Sequence, residues 1–107
     1  MDIHCRDFKE HKIIDLSGDI DYFSVSELKN VLFKLIHEKT ISIILNLQNV
    51  EYMDSSGLGL IVTAHRVMSN YNGKISLVNV CEDIRVIMKL ATVDTLLTIY
   101  NNNNEIV

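Results

Sequence analysis

The sequence lacks the features that mark membrane-embedded, exported and nucleic-acid-binding proteins. No run approaches the roughly 18 apolar residues of a membrane span, and no charged segment followed by an apolar stretch opens the chain. No cluster of Lys and Arg is present, and the formal net charge is −4. We therefore expect a cytoplasmic protein that does not insert into membranes. We also expect no nucleic-acid partner, because such interfaces usually carry a basic patch.

Residues suited to metal binding or catalysis are equally sparse. Cys5 and Cys81 lack CxxC spacing and have no paired histidines beside them, so we expect small hydrophobic side chains in a reducing compartment. Neither a G-x-S-x-G motif nor a glycine-rich phosphate loop is present. On one predicted helix, His65 and Ser56 would lie roughly 13 Å apart along the axis, beyond hydrogen-bond reach. We expect no enzyme activity, metal or cofactor on this chain.

The segment Val50–Leu60 carries the strongest functional signal, because it places two serines and two glycines between an apolar strand and a helix. Residues 41–47 form the nearly continuous apolar run of a covered strand. Apolar residues after Gly57 follow the spacing of one helical face and predict a helix from about 56 to 70. Ser56 would then lie in or near the first turn. Free backbone N–H groups and the helix dipole would stabilise a phosphoryl group there by roughly 0.3–1 kcal/mol.

Helix capping is the competing interpretation of the same residues. Asp54, Ser55 or Ser56 could serve only as the N-cap, since Ser and Asp are favoured there and loss of the cap typically costs about 1 kcal/mol. Gly57 and Gly59 favour phosphorylation, because they would leave the approach to the hydroxyl open and a cap needs no such clearance. For Asp54, the sequence leaves open whether the carboxylate bonds its own motif or orients the acceptor hydroxyl.

The segment Asp54–Gly59 resembles the phosphoacceptor motif of STAS domains of the bacterial anti-sigma factor antagonist type. Leu16–Asp21 is similar to the family's Gly-(Glu/Asp)-(Leu/Ile)-Asp loop, and Leu45–Leu47 is similar to its central strand. The resemblance therefore covers almost the whole chain. It implies that the second serine of the pair, Ser56, accepts the phosphoryl group in preference to Ser55.

The same resemblance implies a switch between partners that is controlled by phosphorylation. The family's partner is an anti-sigma factor that is also a serine kinase and carries the ATP and Mg²⁺. The unphosphorylated antagonist binds this kinase and so releases the sigma factor. Phosphorylation, here of Ser56, would end the binding, and a phosphatase would restore it. The residues implied in partner binding surround this serine: Asp19, Asp21, Asp54, Ser55, Ser56, Gly57, Leu58 and Leu60.

Two other functions stay open at this point. STAS-like subunits also support membrane lipid or anion transporters, and a chain of 107 residues fits an accessory subunit of such a system. A small-ligand-sensing regulatory domain that uses the cleft beside the same loop is a further alternative. The intact Asp-Ser-Ser-Gly sequence favours the phosphorylation switch over both.

Hydrophobic periodicity predicts a single α/β domain over residues 1–100, followed by a polar tail over residues 101–107. A short polar turn joins the first two strands as an antiparallel hairpin, and later strands alternate with three helices. We therefore expect a STAS-like mixed β-sheet whose later strands run parallel through right-handed crossovers, with helices packed on the sheet. The four consecutive asparagines at 101–104 predict a disordered or loop segment.

The loop before the first helix is predicted to combine polar caps with one core anchor. Ser24, with a glutamate three residues on, is a capping-box signature. Asp19 and Asp21 either complement that helix or contact the kinase. Of the adjacent aromatic residues Tyr22 and Phe23, we expect one to anchor the loop in the core and the other to lie at the rim of an interface.

The predicted motif helix has two apolar stripes. The longer stripe contains Leu58, Ile61, Val62, His65 and Met68, and we expect it to pack on the sheet. The second stripe contains Leu60, Ala64, Val67 and Tyr71. It either packs against a neighbouring helix or, next to Ser56, supports partner docking.

Overall fold

The computed structural model describes residues 1–107, which form five strands and three α-helices. In chain order the elements are β1 (Asp2–Phe8), β2 (His11–Ser17), α1 (Val25–His37), β3 (Ser42–Asn49), α2 (Ser55–Ser69), β4 (Lys74–Val78), α3 (Glu82–Leu90) and β5 (Thr98–Tyr100). A 3₁₀ helix over Asn103–Glu105 follows. The strand β3 runs on to Asn49, two residues beyond the apolar run predicted at 41–47, and Ser17 of β2 pairs with that residue.

The five strands lie side by side in chain order. β1 and β2 form an antiparallel hairpin, and each later neighbour pairs in parallel. Each parallel neighbour is reached through one helix, and all three helices contribute to one core cluster, as expected when they cover the same face. The predicted mixed sheet is therefore confirmed. The loops that leave β2 and β3 emerge side by side at the carboxyl ends of these strands.

The face of the sheet that the helices cover holds the main core. Alternate residues of a strand point to the same face, so β3 contributes Ile43, Leu45 and Leu47, all fully buried. The helices supply the opposing apolar side chains, which include Leu28, Leu32, Ile61, Met68, Ile84 and Met88. This core fixes the first turn of α2 relative to the ends of β2 and β3.

The opposite face of the sheet is covered in part by the C-terminal segment. Ile13, Ile44 and Val78 point to this face, one from each of three adjacent strands, and are buried. Ile106 packs against them and is 4% exposed. Burying this apolar cluster explains why the end of the chain folds back onto the sheet.

Residues 101–107 form a loop with one 3₁₀ turn that Ile106 holds on the sheet, so the loop character of the predicted tail agrees with the structure, whereas disorder does not. The Asn102 side-chain oxygen accepts a hydrogen bond from the Asn104 backbone N–H at 2.9 Å, which starts the 3₁₀ turn. His11 Nε2 lies 2.7 Å from the Val107 carbonyl oxygen and ties the end of the chain to β2. The four asparagines suggested disorder, whereas the residue that anchors the segment on the sheet, Ile106, follows them in the chain.

Cys5 also differs from the prediction, because it is exposed on the edge strand β1, whereas Cys81 is half-buried. No group of three or more His, Cys, Asp or Glu side chains that could hold a metal ion is present. None of the helices has both the length and the apolar character needed to cross a membrane.

Candidate functional site

Two loops at the carboxyl ends of adjacent strands form the candidate site. Residues 18–24 connect β2 to α1, and residues 50–54 connect β3 to α2. The backbone N–H of Ile20 donates to the carbonyl of Tyr52 at 3.0 Å, and the N–H of Asp54 donates to the carbonyl of Ile20 at 3.1 Å. The loops therefore continue the parallel pairing of their strands and hold each other in place.

Asp54 is the N-cap of α2, and both oxygens of its carboxylate are engaged. Oδ1 accepts hydrogen bonds from the Ser56 N–H at 2.9 Å, the Gly57 N–H at 3.4 Å and the Ser56 hydroxyl at 2.5 Å. Oδ2 accepts from the Tyr22 N–H at 3.0 Å. The two roles that the sequence left open are combined, because one carboxylate caps the helix and orients the hydroxyl.

These hydrogen bonds also keep the Asp54 carboxyl group ionised. The Ser56 hydroxyl is the largest influence, and together with the backbone N–H groups it lowers the pKa of Asp54, while desolvation acts in the opposite direction. An ionised carboxylate can only accept hydrogen bonds, so the Ser56 hydroxyl proton points toward Asp54. The lone pairs of Ser56 Oγ therefore point away from Asp54.

The two serines of the motif have different surroundings. Ser55 is the first residue of α2 and is exposed, whereas Ser56 is the second residue and is half-buried. The structure places Ser56 in the first helical turn, as the sequence predicts. The cap itself is Asp54, so neither hydroxyl is used for that purpose.

The two glycines of the motif serve different purposes. A Cβ atom on Gly57 would lie 2.7 Å from Ile20 Cγ2 and 2.8 Å from Met53 Cγ, so this glycine permits close packing of the two loops. The prediction that Gly57 leaves the hydroxyl accessible is wrong, because the residue is buried. Gly59 is exposed, and a Cβ atom there would meet nothing within 4 Å. Only Gly59 therefore matches the predicted open approach.

Asp21 organises the turn before α1. Its Oδ1 accepts from the backbone N–H groups of Phe23 and Ser24, each at 3.0 Å. The Ser24 hydroxyl donates to the Asp19 carbonyl at 2.6 Å and makes no capping bond to α1, so the predicted capping box does not form. The backbone of Ser24 is already helical, and its side chain is used within the loop. Asp21 thus has a structural role, and the Asp19 residue is exposed.

The aromatic residues of this loop are both exposed. Tyr22 is 76% exposed and Phe23 is 88% exposed, with ring centroids 5.7 Å apart in an edge-to-face arrangement. The prediction that one of them anchors the loop in the core is wrong. Ile20 takes that place, since it is fully buried beside Met53. The sequence predicts only one of the two rings at the rim of an interface, and the structure exposes both.

A groove of about 410 Å³ runs between α1 and α2 and begins at Ser56. Its lining residues are Val25, Lys29 and Phe33 from α1 and Ser56, Gly59, Leu60 and Thr63 from α2. The hydroxyl of the candidate acceptor therefore lies between this groove and the loop that carries Tyr22.

Residues 3–106 match the STAS domain family. The chain belongs to this family. An anti-sigma-B factor antagonist of Staphylococcus epidermidis is 37% identical to it over 78 residues, which are 73% of this chain and 69% of the relative. The resemblance of the Asp-Ser-Ser-Gly segment to the STAS motif thus extends to the chain as a whole.

Solved structures of anti-sigma factor antagonists share the fold. An anti-sigma factor antagonist from Mycobacterium paratuberculosis superposes with a TM-score of 0.88 at 17% identity, covering 97% of this chain and 88% of that one. The Bacillus cell fate determinant SpoIIAA in its phosphorylated form gives a TM-score of 0.76 at 22% identity, covering 97% and 95% of the two chains. At these identities the similarity is one of fold.

The residues implied in partner binding lie at one end of the STAS domain but differ in exposure. Asp19 and Ser55 are exposed, and Asp21, Asp54 and Ser56 are half-buried. The remaining three are buried, namely Gly57, Leu58 and Leu60. Those three support the site from within.

The second stripe of α2 packs mainly within the protein. Leu60 and Ala64 are buried, and Val67 is half-buried against the main core. The Tyr71 hydroxyl donates to the Thr40 carbonyl, which follows α1, at 2.9 Å. Packing against a neighbouring element therefore accounts for this stripe. Only its end at Leu60 lines the groove beside Ser56.

Proposed function

We propose that this STAS domain is an anti-sigma factor antagonist whose partner is an anti-sigma factor with serine kinase activity. It binds that partner while Ser56 is unphosphorylated and is released when Ser56 is phosphorylated. The observation that carries the proposal is the Ser56 hydroxyl, which Asp54 orients in the first turn of α2. The relative from Staphylococcus epidermidis, named an anti-sigma-B factor antagonist, and the phosphorylated form of SpoIIAA support it.

The geometry around Ser56 suits a phosphoryl acceptor. The hydroxyl proton has a carboxylate acceptor in Asp54, and the lone pairs of the oxygen face the other way. ATP and Mg²⁺ belong to the kinase in this proposal, and the chain itself is a cytoplasmic binding protein without catalytic activity. The positive end of the α2 dipole favours a phosphoryl group at this position, and Asp54 already satisfies the Ser56 and Gly57 N–H groups, so we expect the fold to change little on phosphorylation.

The added charge explains why phosphorylation would end binding. A phosphoryl group adds roughly −1.5 to −2 charges. Ser56 already lies beside the Asp54 carboxylate, in an end of the domain that also carries Asp19 and Asp21. A phosphoryl group on Ser56 would repel the adjacent Asp54 carboxylate and would place a bulky, strongly hydrated group where the partner packs, which costs desolvation on binding. A phosphatase acting on phospho-Ser56 would restore binding.

Paired baits in a lysate of the source organism test the proposal. Ser56→Ala and Ser56→Glu proteins are immobilised side by side, with Ser55→Ala as the matched control, and retained proteins are identified by mass spectrometry. We expect a kinase that the alanine variant retains and the glutamate variant loses, and that phosphorylates the unmodified chain on Ser56. Equal recovery of transporter subunits on both baits would overturn the proposal in favour of a transport accessory role.

A further inference from the structure

The most exposed large apolar side chain in the molecule is Phe23, at 88%, and Tyr22 beside it is 76% exposed. The two rings contact each other edge to face and leave the rest of their surfaces to solvent. Aromatic side chains dominate the binding energy of protein interfaces, where they fill pockets on the partner. Adjacent exposed apolar side chains therefore mark a candidate contact surface.

The loop that carries the rings is fixed by side-chain hydrogen bonds. The Tyr22 N–H donates to Asp54 Oδ2, and the Phe23 N–H donates to Asp21 Oδ1, each at 3.0 Å. Below them, the Ile20 side chain is fully buried. A contact surface held in its binding position loses less conformational entropy on docking than a mobile one.

The same Asp54 carboxylate joins this loop to the acceptor serine. Oδ2 holds the backbone of Tyr22, and Oδ1 accepts the Ser56 hydroxyl. The aromatic pair therefore sits at a set distance from Ser56 Oγ. A protein that delivers a phosphoryl group to this oxygen must approach within reach of the two rings.

We propose that Tyr22 and Phe23 anchor the kinase that phosphorylates Ser56, and that Asp54 positions this anchor relative to the hydroxyl. The inference rests on the proposed function. The carboxylates of Asp54 and Asp21 bond the backbone of the aromatic pair, and Asp19 is exposed in the same loop. The complementary surface of the kinase is therefore an apolar pocket with basic side chains at its rim, next to the site that holds ATP.

Steady-state phosphorylation by the kinase that the Ser56→Ala protein retains tests this inference. The Tyr22→Ser/Phe23→Ser double variant should raise the KM for the STAS substrate at least about tenfold and leave kcat nearly unchanged, because the rings contribute binding and take no part in the transfer. The control is Leu90→Ser, which removes a side chain that is 80% exposed at the end of α3. Its KM should equal that of the unmodified chain.

Asp54→Asn tests the positioning role separately. An asparagine can still cap α2 through its oxygen, but it cannot accept from both Ser56 and Tyr22. We expect a shift of the Tyr22 backbone amide resonance and a raised KM, together with a small fall in the thermal unfolding midpoint because the ionised carboxylate is lost. A purely structural cap would leave the Tyr22 resonance and the KM unmoved.

The outcomes separate this inference from the proposed function. If no kinase is retained by the Ser56→Ala protein, the proposed function fails and the anchor fails with it. If a kinase is retained but the double variant keeps an unchanged KM, or Leu90→Ser raises the KM equally, only the anchor is overturned. Circular dichroism checks folding, and the single variant Phe23→Ser replaces the double variant if that one unfolds.

Discussion

Two separate sets of polar side chains in this domain show how similar residues serve opposite purposes. At the Ser56 end, Asp21 and Asp54 bond to backbone N–H groups of loops and leave aromatic rings exposed. On the sheet face without helices, polar side chains bond to one another and lie beside a packed chain end. At the Ser56 end, carboxylates that bond backbone groups hold loops in place and leave a surface free for contact. On the helix-free face of the sheet, side chains that bond to one another help to cover the surface, and this face is called the closed face.

The closed face contains a continuous set of side-chain hydrogen bonds. Arg6 Nε donates to Asp15 at 2.7 Å, and Asn46 Nδ2 donates to the other oxygen of the same carboxylate at 2.8 Å. Asn79 then donates to Asn46 at 3.0 Å and to Asn103 in the C-terminal segment at 3.2 Å. The set thus runs from the edge strand β1 to the segment that carries Ile106.

Removing the apolar anchor of the closed face should have the largest effect on stability. Ile106→Ala deletes a buried side chain that packs on Ile13, Ile44 and Val78, and we expect a loss of about 3 kcal/mol in the free energy of unfolding. Urea denaturation measures it. Val107→Ala, at a residue that is 84% exposed, is the control. Phosphorylation of Ser56 should stay unchanged in both variants, and a slower reaction in Ile106→Ala would show that the two regions are coupled.

Crowding the junction between the two site loops should have the second-largest effect on the free energy of unfolding. Gly57→Ala places a methyl group 2.7 Å from Ile20 and 2.8 Å from Met53, and we expect a loss of about 2 kcal/mol because the packed loops must separate. Gly59→Ala is the matched control on the same helix, since its added methyl meets open space. That variant should gain about 0.5–1 kcal/mol. Equal effects of the two substitutions would contradict the packing role of Gly57.

Substitutions of Asp21 and Asp19 should differ in their effect on stability, although both residues lie in the same loop. Asp21→Ala removes the acceptor of two backbone N–H groups and should cost about 1 kcal/mol. Asp19→Ala removes an exposed side chain and should leave thermal stability within about 0.5 kcal/mol of the unmodified chain. A larger loss for Asp19→Ala would reverse the assignment of the structural role.

Lowering the pH should reduce the free energy of unfolding through one carboxylate in each region, by less than the substitutions above. The pKa of Asp15 is lowered chiefly by its hydrogen bond with Arg6, and the pKa of Asp54 chiefly by the Ser56 hydroxyl. Folding therefore favours the ionised forms, and their contribution is present above the ordinary pKa of 3.8 and is lost as the pH falls below it. Urea unfolding between about pH 5 and pH 2 measures this loss. Asp15→Asn should flatten the profile in part, and an unchanged profile would contradict the assignment.

Sequence reasoning succeeded where local periodicity decides structure. The nearly continuous apolar run around Ile43 and the helical spacing around Ile61 predicted a strand, a helix and the first-turn position of Ser56. It failed where contacts between segments that are distant in sequence determine which side chains are buried. Nothing local shows that Ile20 fills the core in place of Tyr22 or Phe23, or that the buried face of β3 meets Ile106.

The role of Gly57 was missed for the same reason, because the atoms that exclude a side chain there belong to another loop. The predicted capping box failed because the Ser24 hydroxyl has a competing acceptor in the Asp19 carbonyl. In each case the sequence shows which groups need partners, and the tertiary structure determines which partners they find.

Phosphoryl transfer onto three forms of the chain tests the central claim most directly. The unmodified chain, Ser55→Ala and Ser56→Ala are incubated with ATP, Mg²⁺ and the retained kinase, and phosphopeptides are mapped by mass spectrometry. We predict that the first two forms carry a phosphoryl group on Ser56 and that Ser56→Ala carries none. A phosphoryl group on Ser55, or equal modification of all three forms, would contradict the assignment of Ser56 as the switch.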